Sequence, residues 1–358
     1  MPTIRAFALI LFASTLTVTA QSEDKPVRVV ADRAVPVTLA GGSALLPVNM
    51  TLDGRNIDLS HVQPSVTRVI ILFHGLKRNV ETTNTAGLDA IADAGPERQT
   101  TLLIVPQFLE QVDIDAHHLP GNILRWAPEA WMNGADAINA PVSTFTAIDS
   151  LLALVANRAV FPNLKTVIVA GHSAGGQLTQ RYAVATHGND SLTRNGVHLR
   201  FVIANRSSLV YFSPERPVLS NLSEFTFAIP SATCSGKYNH WKYGLVDPPP
   251  YLASEDLSQL ESHYIARDII YLLGTADNDP NHPELDKSCP GELEGPYRFY
   301  RGKAYFRYLQ GRHHDLTQQL WTVPGVAHDS AKMFGSVCGL AALFDSGSCP
   351  TSLPDPKP

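Results

Sequence analysis

Short apolar runs rich in Val and Ile alternate along this chain with stretches whose apolar residues recur at helical spacing. That alternation predicts a mostly parallel sheet covered by helices on both faces. The clearest predicted strands are Arg68–His74, Thr101–Pro106, Thr166–Ala170, Leu199–Ala204 and Asp268–Leu273, with a weaker one at Leu320–Val323. Val27–Ala31 and Ala44–Leu52 read as antiparallel edge strands at the start. Helical spacing is expected over Glu81–Ala92, Ser143–Asn157, Gly176–Thr186, Tyr297–Leu309 and Ser330–Leu343. Between Val210 and Ala266 the rhythm breaks into an irregular, proline-containing segment. A long loop inside a compact domain is usually a lid or binding loop, so this one is expected to cap the site.

The first residues depart from this pattern. Arg5 precedes the apolar run AFALILFASTLTV, and Val18-Thr19-Ala20 follows with small residues. That is the layout of a secretory signal over residues 1–20, cut after Ala20; the remaining 21–358 suit one large α/β domain or two small ones. The apolar run is short for a membrane span, and a polar stretch follows it. Export changes how the cysteines read. Cys234, Cys289, Cys338 and Cys349 form an even set, which in an oxidising compartment implies two disulfides. Three pairings are possible; the short C-terminal separation favours Cys338–Cys349, leaving Cys234–Cys289. Neither pair has the spacing of a zinc site. Sequons stand at Asn49, Asn189, Asn205 and Asn221, and matter only in a eukaryotic secretory route. Asn205 ends an apolar strand and is the poorest glycan acceptor of the four. A formal net charge of −5 gives no reason to expect nucleic acid or an anionic membrane as partner.

The chemistry gathers around Gly171-His172-Ser173-Ala174-Gly175-Gly176. An apolar strand runs into it and a helical pattern leaves it, the context of a G-x-S-x-G nucleophile elbow. Flanking glycines let the backbone cross itself on a tight turn that exposes the Ser173 hydroxyl. Ala174 then supplies a backbone N–H at a helix N-terminus, suited to an oxyanion. A serine nucleophile needs a base, and the base needs an orienting acid. Just past the strand ending at Leu273 comes Asp277, with Asp279 as its rival two residues on. His328 follows a short strand and a Pro-Gly turn, whereas His117, His118, His313 and His314 lie in loops or charged stretches. The loop His74-Gly75-Leu76 after an early strand is placed to give a second backbone donor from Leu76, with His74 pinning the loop. His172 is expected to be a structural neighbour of the serine. Trp126 and Trp131 are equally readable as pocket lining or as core.

The set HGL, GHSAGG, GTAD and PGVAHD, in that order, resembles the α/β-hydrolase superfamily, from Arg68 to about Phe344. Within it the chain is most similar to secreted esterases and lipases with a single-glycine oxyanion loop; the HGGG loop of other branches is absent. The resemblance implies Ser173 as nucleophile, His328 as general base and acid, Asp277 as its orienter, and Leu76 and Ala174 as oxyanion donors. The expected partner is a small or polymeric ester, cleaved without a metal or organic cofactor by an enzyme expected to act as a monomer. Amide cleavage by the same residues is the nearest alternative. A non-catalytic binding protein of this fold is expected to have lost one of the three residues, and none is missing.

Overall fold

The computed structural model describes residues 25–350 apart from 40, 41, 188, 232 and 233. The expected signal segment lies outside the described residues. The main sheet has nine strands among the described residues, eight of them in one continuous path: β1 (Arg33–Leu39), β2 (Gly42–Leu52), β3 (Arg68–Phe73), β4 (Thr101–Pro106), β5 (Thr166–His172), β6 (His198–Ala204), β7 (Asp268–Gly274) and β8 (Gln319–Val323); the ninth, the two-residue Arg55–Asn56, pairs with β2 off that path. The order along the path is β1-β2-β4-β3-β5-β6-β7-β8. β1 and β2 pair antiparallel, as do β2 and β4; from β4 to β8 every pairing is parallel. β3 and β4 are buried throughout, as a strand covered on both faces must be.

Helices cover the two faces in separate groups. Val80–Asp93 (α1), Ser330–Phe334 (α5) and Val337–Phe344 (α6) pack with Ile70, Leu72, Ile168 and Val202 on one face. Thr144–Val155 (α2), Ala174–Ala185 (α3) and Arg298–Arg312 (α4) pack with Val69, Ile71, Val167 and Phe201 on the other. α2 shows why these segments are helical. The Ser143 hydroxyl accepts the Thr146 N–H as an N-cap, and Phe145, Ile148, Leu152 and Val155 form one buried stripe.

Two expected elements differ. Val27–Ala31 is not a strand, because side chains satisfy its backbone: Asp113 Oδ1 accepts the Val27 N–H at 2.8 Å, and Gln107 takes the Ala31 N–H and the Val29 carbonyl. The edge strand begins later, at Arg33, and tolerates Pro36 because an edge position spares one N–H. The expected helix Ser330–Leu343 is two helices. The Ser336 hydroxyl donates to the Met333 carbonyl and accepts the Gly339 N–H, ending α5 and capping α6 in one step.

Disulfides join Cys234 to Cys289 and Cys338 to Cys349. The first ties the irregular 210–266 segment to the chain after β7. Trp241 Nε1 donates to the Asn133 carbonyl at 2.7 Å, and the Tyr251 hydroxyl donates to Asp149 at 2.7 Å, so this segment is anchored on the α2/α3 side. Asn205 is fully buried, which closes that sequon to a glycan, while Asn221 is exposed. Among the described residues no helix is long and apolar enough to cross a membrane.

Candidate active site

Parallel pairing brings the ends of β3, β5, β7 and β8 to one edge of the sheet, where the candidate residues meet. Ser173 follows β5 with φ 60° and ψ −123°, a backbone conformation that side chains rarely adopt and that over-determined sites retain. Two glycines make the turn possible. A Cβ on Gly175 would stand 2.4 Å from the Phe73 carbonyl oxygen, and one on Gly171 would stand 2.3 Å from the Gly175 backbone. The elbow therefore sits hard against the end of β3 and its following loop.

The acid and histidine loops are laced together beyond β7 and β8. Thr275 and Ala276 N–H donate to the Val323 and Val326 carbonyls, and the Thr275 hydroxyl accepts the Gly325 N–H. Buried Asn205 takes the Gly274 N–H on its oxygen and donates to the Ala327 carbonyl. These bonds fix Asp277 against His328. His328 Nδ1 donates to Asp277 Oδ2 at 2.8 Å, which leaves Nε2 as an acceptor for the Ser173 hydroxyl at 2.9 Å. Asp279, the rival acid, is exposed, and its carboxylate accepts the nearby Asn281 N–H.

Asp277 is held from behind by Arg298 at the start of α4. The guanidinium Nη1 lies 3.4 Å from Asp277 Oδ1 and Nε donates to the Ser207 hydroxyl at 2.9 Å. Both ends of this ion pair are buried. Nothing in the local sequence of Arg298 singles it out, since the contact depends on α4 crossing behind the acid loop.

His74 pins the loop that carries Gly75 and Leu76. Its Nε2 accepts the Phe108 N–H at 3.0 Å, so Nδ1 carries the proton and donates to the Gly75 carbonyl at 2.9 Å. Burial lowers its pKa to about 4, keeping the ring neutral. His172 packs its ring 4.5 Å from that of His328, and burial, with His328 beside it, holds it well below the usual imidazole range. Both are structural neighbours of the site. Trp126 and Trp131 are fully buried and pack on Phe108, so they belong to the core.

A cavity of about 430 Å³ opens at Ser173 and His328. Leu72, Phe73, Ala86 and Phe334 give it an apolar wall, and Thr82, Thr83 and Ser330 a polar one. Gly75 and Leu76 line it beside the serine. Its lining comes from the β3–α1 region, the elbow, the loop through Glu284 and the His328–Phe334 stretch; among the described residues of 210–266 none contributes. Trp241 and Tyr251 hold that segment to the α2/α3 side, and the loop carrying His282, Pro283 and Glu284 borders the cavity. Those three residues were not singled out by sequence, because a loop's path is set by distant contacts. Among the described residues no group of His, Cys, Asp and Glu is arranged to hold a metal ion.

The mostly parallel nine-stranded sheet, its helices on both faces and the serine elbow at the strand ends define the α/β-hydrolase fold. Solved structures agree. The chain is similar to LpqC, a poly(3-hydroxybutyrate) depolymerase from Bordetella parapertussis, with a TM-score of 0.56 and 21% identity, over 88% of this chain and 90% of that one. It is also similar to poly(aspartic acid) hydrolase-1 from Sphingomonas sp. KT-1, with a TM-score of 0.54 and 20% identity, over 86% of this chain and 96% of that one. No protein-family model matches the sequence, and no curated protein does.

Proposed function

We propose that this protein is an exported serine hydrolase that cleaves carboxylic esters through an acyl-enzyme on Ser173. The observation that carries the reading is the chain of contacts from Ser173 Oγ to His328 Nε2 at 2.9 Å and from Nδ1 to Asp277 at 2.8 Å, beside a cavity that admits a small ester. Ser173 Oγ attacks the carbonyl carbon as its proton passes to His328 Nε2. The carbonyl electron pair moves onto oxygen, where the N–H groups of Leu76 and Ala174 receive it. Collapse breaks the bond to the leaving alkoxide, which takes the proton from Nε2. Water then attacks the acyl-serine with His328 again as base, and Ser173 leaves with its proton restored. Asp277 keeps the Nδ1 proton in place and stabilises the imidazolium. The signal-like pattern of residues 1–20 and the two disulfides support export.

Amide cleavage is the second reading, favoured by the similarity to a poly(aspartic acid) hydrolase, whose substrate is a polyamide. A series of p-nitrophenyl esters set against matched anilides decides between them. Ester turnover by the mature protein that is lost in Ser173→Ala is the expected result. Anilide turnover equal to that of the esters favours the amide reading, and full ester activity in Ser173→Ala overturns both.

A further inference from the structure

An ion pair spans the mouth of the cavity. Lys77 Nζ lies 3.0 Å from Glu284 Oε1. Lys77 directly follows Leu76, and Glu284 belongs to the loop that runs on from Asp277, so the pair links the two loops that flank the serine. The two charges are not equivalent. The Lys77 side chain is 66% exposed and that of Glu284 only 26%. Glu284 Oε2 also comes within 4.0 Å of His328 Nε2, the nitrogen that faces Ser173. The loop is built to hold it there. The Glu284 N–H donates to His282 Nδ1 at 3.2 Å, and its carbonyl accepts the Ser207 hydroxyl at 3.3 Å. Burial pushes the Glu284 carboxyl up, but Lys77, His328 and His282 outweigh it and hold the group below the usual range, so it is anionic at neutral pH. The other ionisable side chains on the cavity wall are His172, His282 and His328. Burial lowers the pKa of the first two, so they stay neutral.

The position of Glu284 fixes which part of a substrate meets its charge. His328 Nε2 must deliver a proton to the leaving-group oxygen, so the leaving group passes beside Glu284. Resting on the ester-hydrolase reading above, we propose that Glu284, steadied by Lys77, selects the leaving group by charge: neutral and cationic alcohols are favoured over alcohols that carry a carboxylate. Unit charges about 6 Å apart across a wet pocket change a rate by roughly three- to tenfold. Lys77 offsets part of that field from further out.

The test compares acetate esters of three alcohols of similar size by pH-stat: 3,3-dimethylbutanol (neutral), choline (cationic) and 3-hydroxypropanoate (anionic). Mature protein and its Glu284→Gln and Lys77→Met variants are measured at low salt. The expected result is kcat/KM for the anionic ester roughly three- to tenfold below the neutral one. Glu284→Gln should erase most of that gap and lower the preference for choline. Lys77→Met should widen the gap, which keeps the test decisive if the Glu284 variant folds poorly. A preference of the unaltered protein for the anionic ester overturns the proposal, as do charge ratios that neither variant moves. Failure of the unaltered protein to cleave any of the three is a different outcome: it removes the ester-hydrolase reading itself.

Discussion

Replacing Asp277 by Asn exchanges one carboxylate oxygen for an NH2 group, with little change in volume. In the present geometry Asp277 Oδ2 accepts the His328 Nδ1 proton at 2.8 Å while Oδ1 faces Arg298 at 3.4 Å. Arg298 can only donate, so the Asn oxygen turns toward it and the NH2 group toward His328. Nδ1 must then become an acceptor, which moves the ring proton to Nε2 and aims it at Ser173. The serine loses its base. A histidine locked in the wrong tautomer costs on the order of 10³- to 10⁴-fold in kcat, about 4 to 5.5 kcal/mol of barrier. The same change at Asp279, which is exposed and serves only a local turn, should alter kcat less than about twofold. The assay is steady-state p-nitrophenyl acetate hydrolysis, with circular dichroism to set the folded fraction of each variant. Asp277→Asn within tenfold of the parent would refute the orienting role, and a larger loss in Asp279→Asn would move that role to the rival acid.

Stability should fall in acid because His74 is buried in the neutral form. Its pKa in the folded protein, about 4, lies below the ordinary 6.5, so its contribution is complete above pH 6.5 and is lost as pH falls toward 4. The loss reaches about 3 kcal/mol at the lower limit, and His172 is shifted in the same direction. Tm measured from pH 7 to pH 4 should drop, and His74→Gln should flatten that slope; an unchanged slope in the variant contradicts the assignment. Replacing Cys234 and Cys289 together by Ser should cost about 4 kcal/mol, since the bridge closes a separation of 55 residues. Because neither cysteine lines the cavity, kcat of the folded fraction should stay within about twofold. Chemical denaturation and kinetics on the same samples check both halves of that statement.

Much of the fold could be read from the chain because the central strands are buried on both faces. β3, β4, β5 and β7 carry unbroken apolar runs, a signal that no tertiary contact is needed to interpret. The elbow was legible for a related reason: crowding at Gly171 and Gly175 leaves few residue types that fit, so the motif is a steric requirement written in sequence. Asp277 and His328 could be found from their places after β7 and β8. Legibility ended where position depends on packing between distant segments. The path of residues 210–266 is fixed by Trp241 on Asn133 and Tyr251 on Asp149, contacts that no local pattern encodes. Arg298 and Glu284 reach the site only because α4 and the loop before it fold across the strand ends. Val27–Ala31 misled for the opposite reason. Its β-branched residues suit a strand, but Asp113 and Gln107 satisfy the backbone groups that a neighbouring strand would have taken.

The proposed acyl-enzyme requires that Ser173 be activated by His328 and Asp277. Intact-mass analysis of the folded mature protein after brief exposure to a fluorophosphonate tests it most directly. One adduct per chain, mapped to the peptide bearing Ser173 and absent after Ser173→Ala or after prior unfolding, is the predicted result. Folded protein that takes up no label, or that takes it up equally without Ser173, would contradict the account.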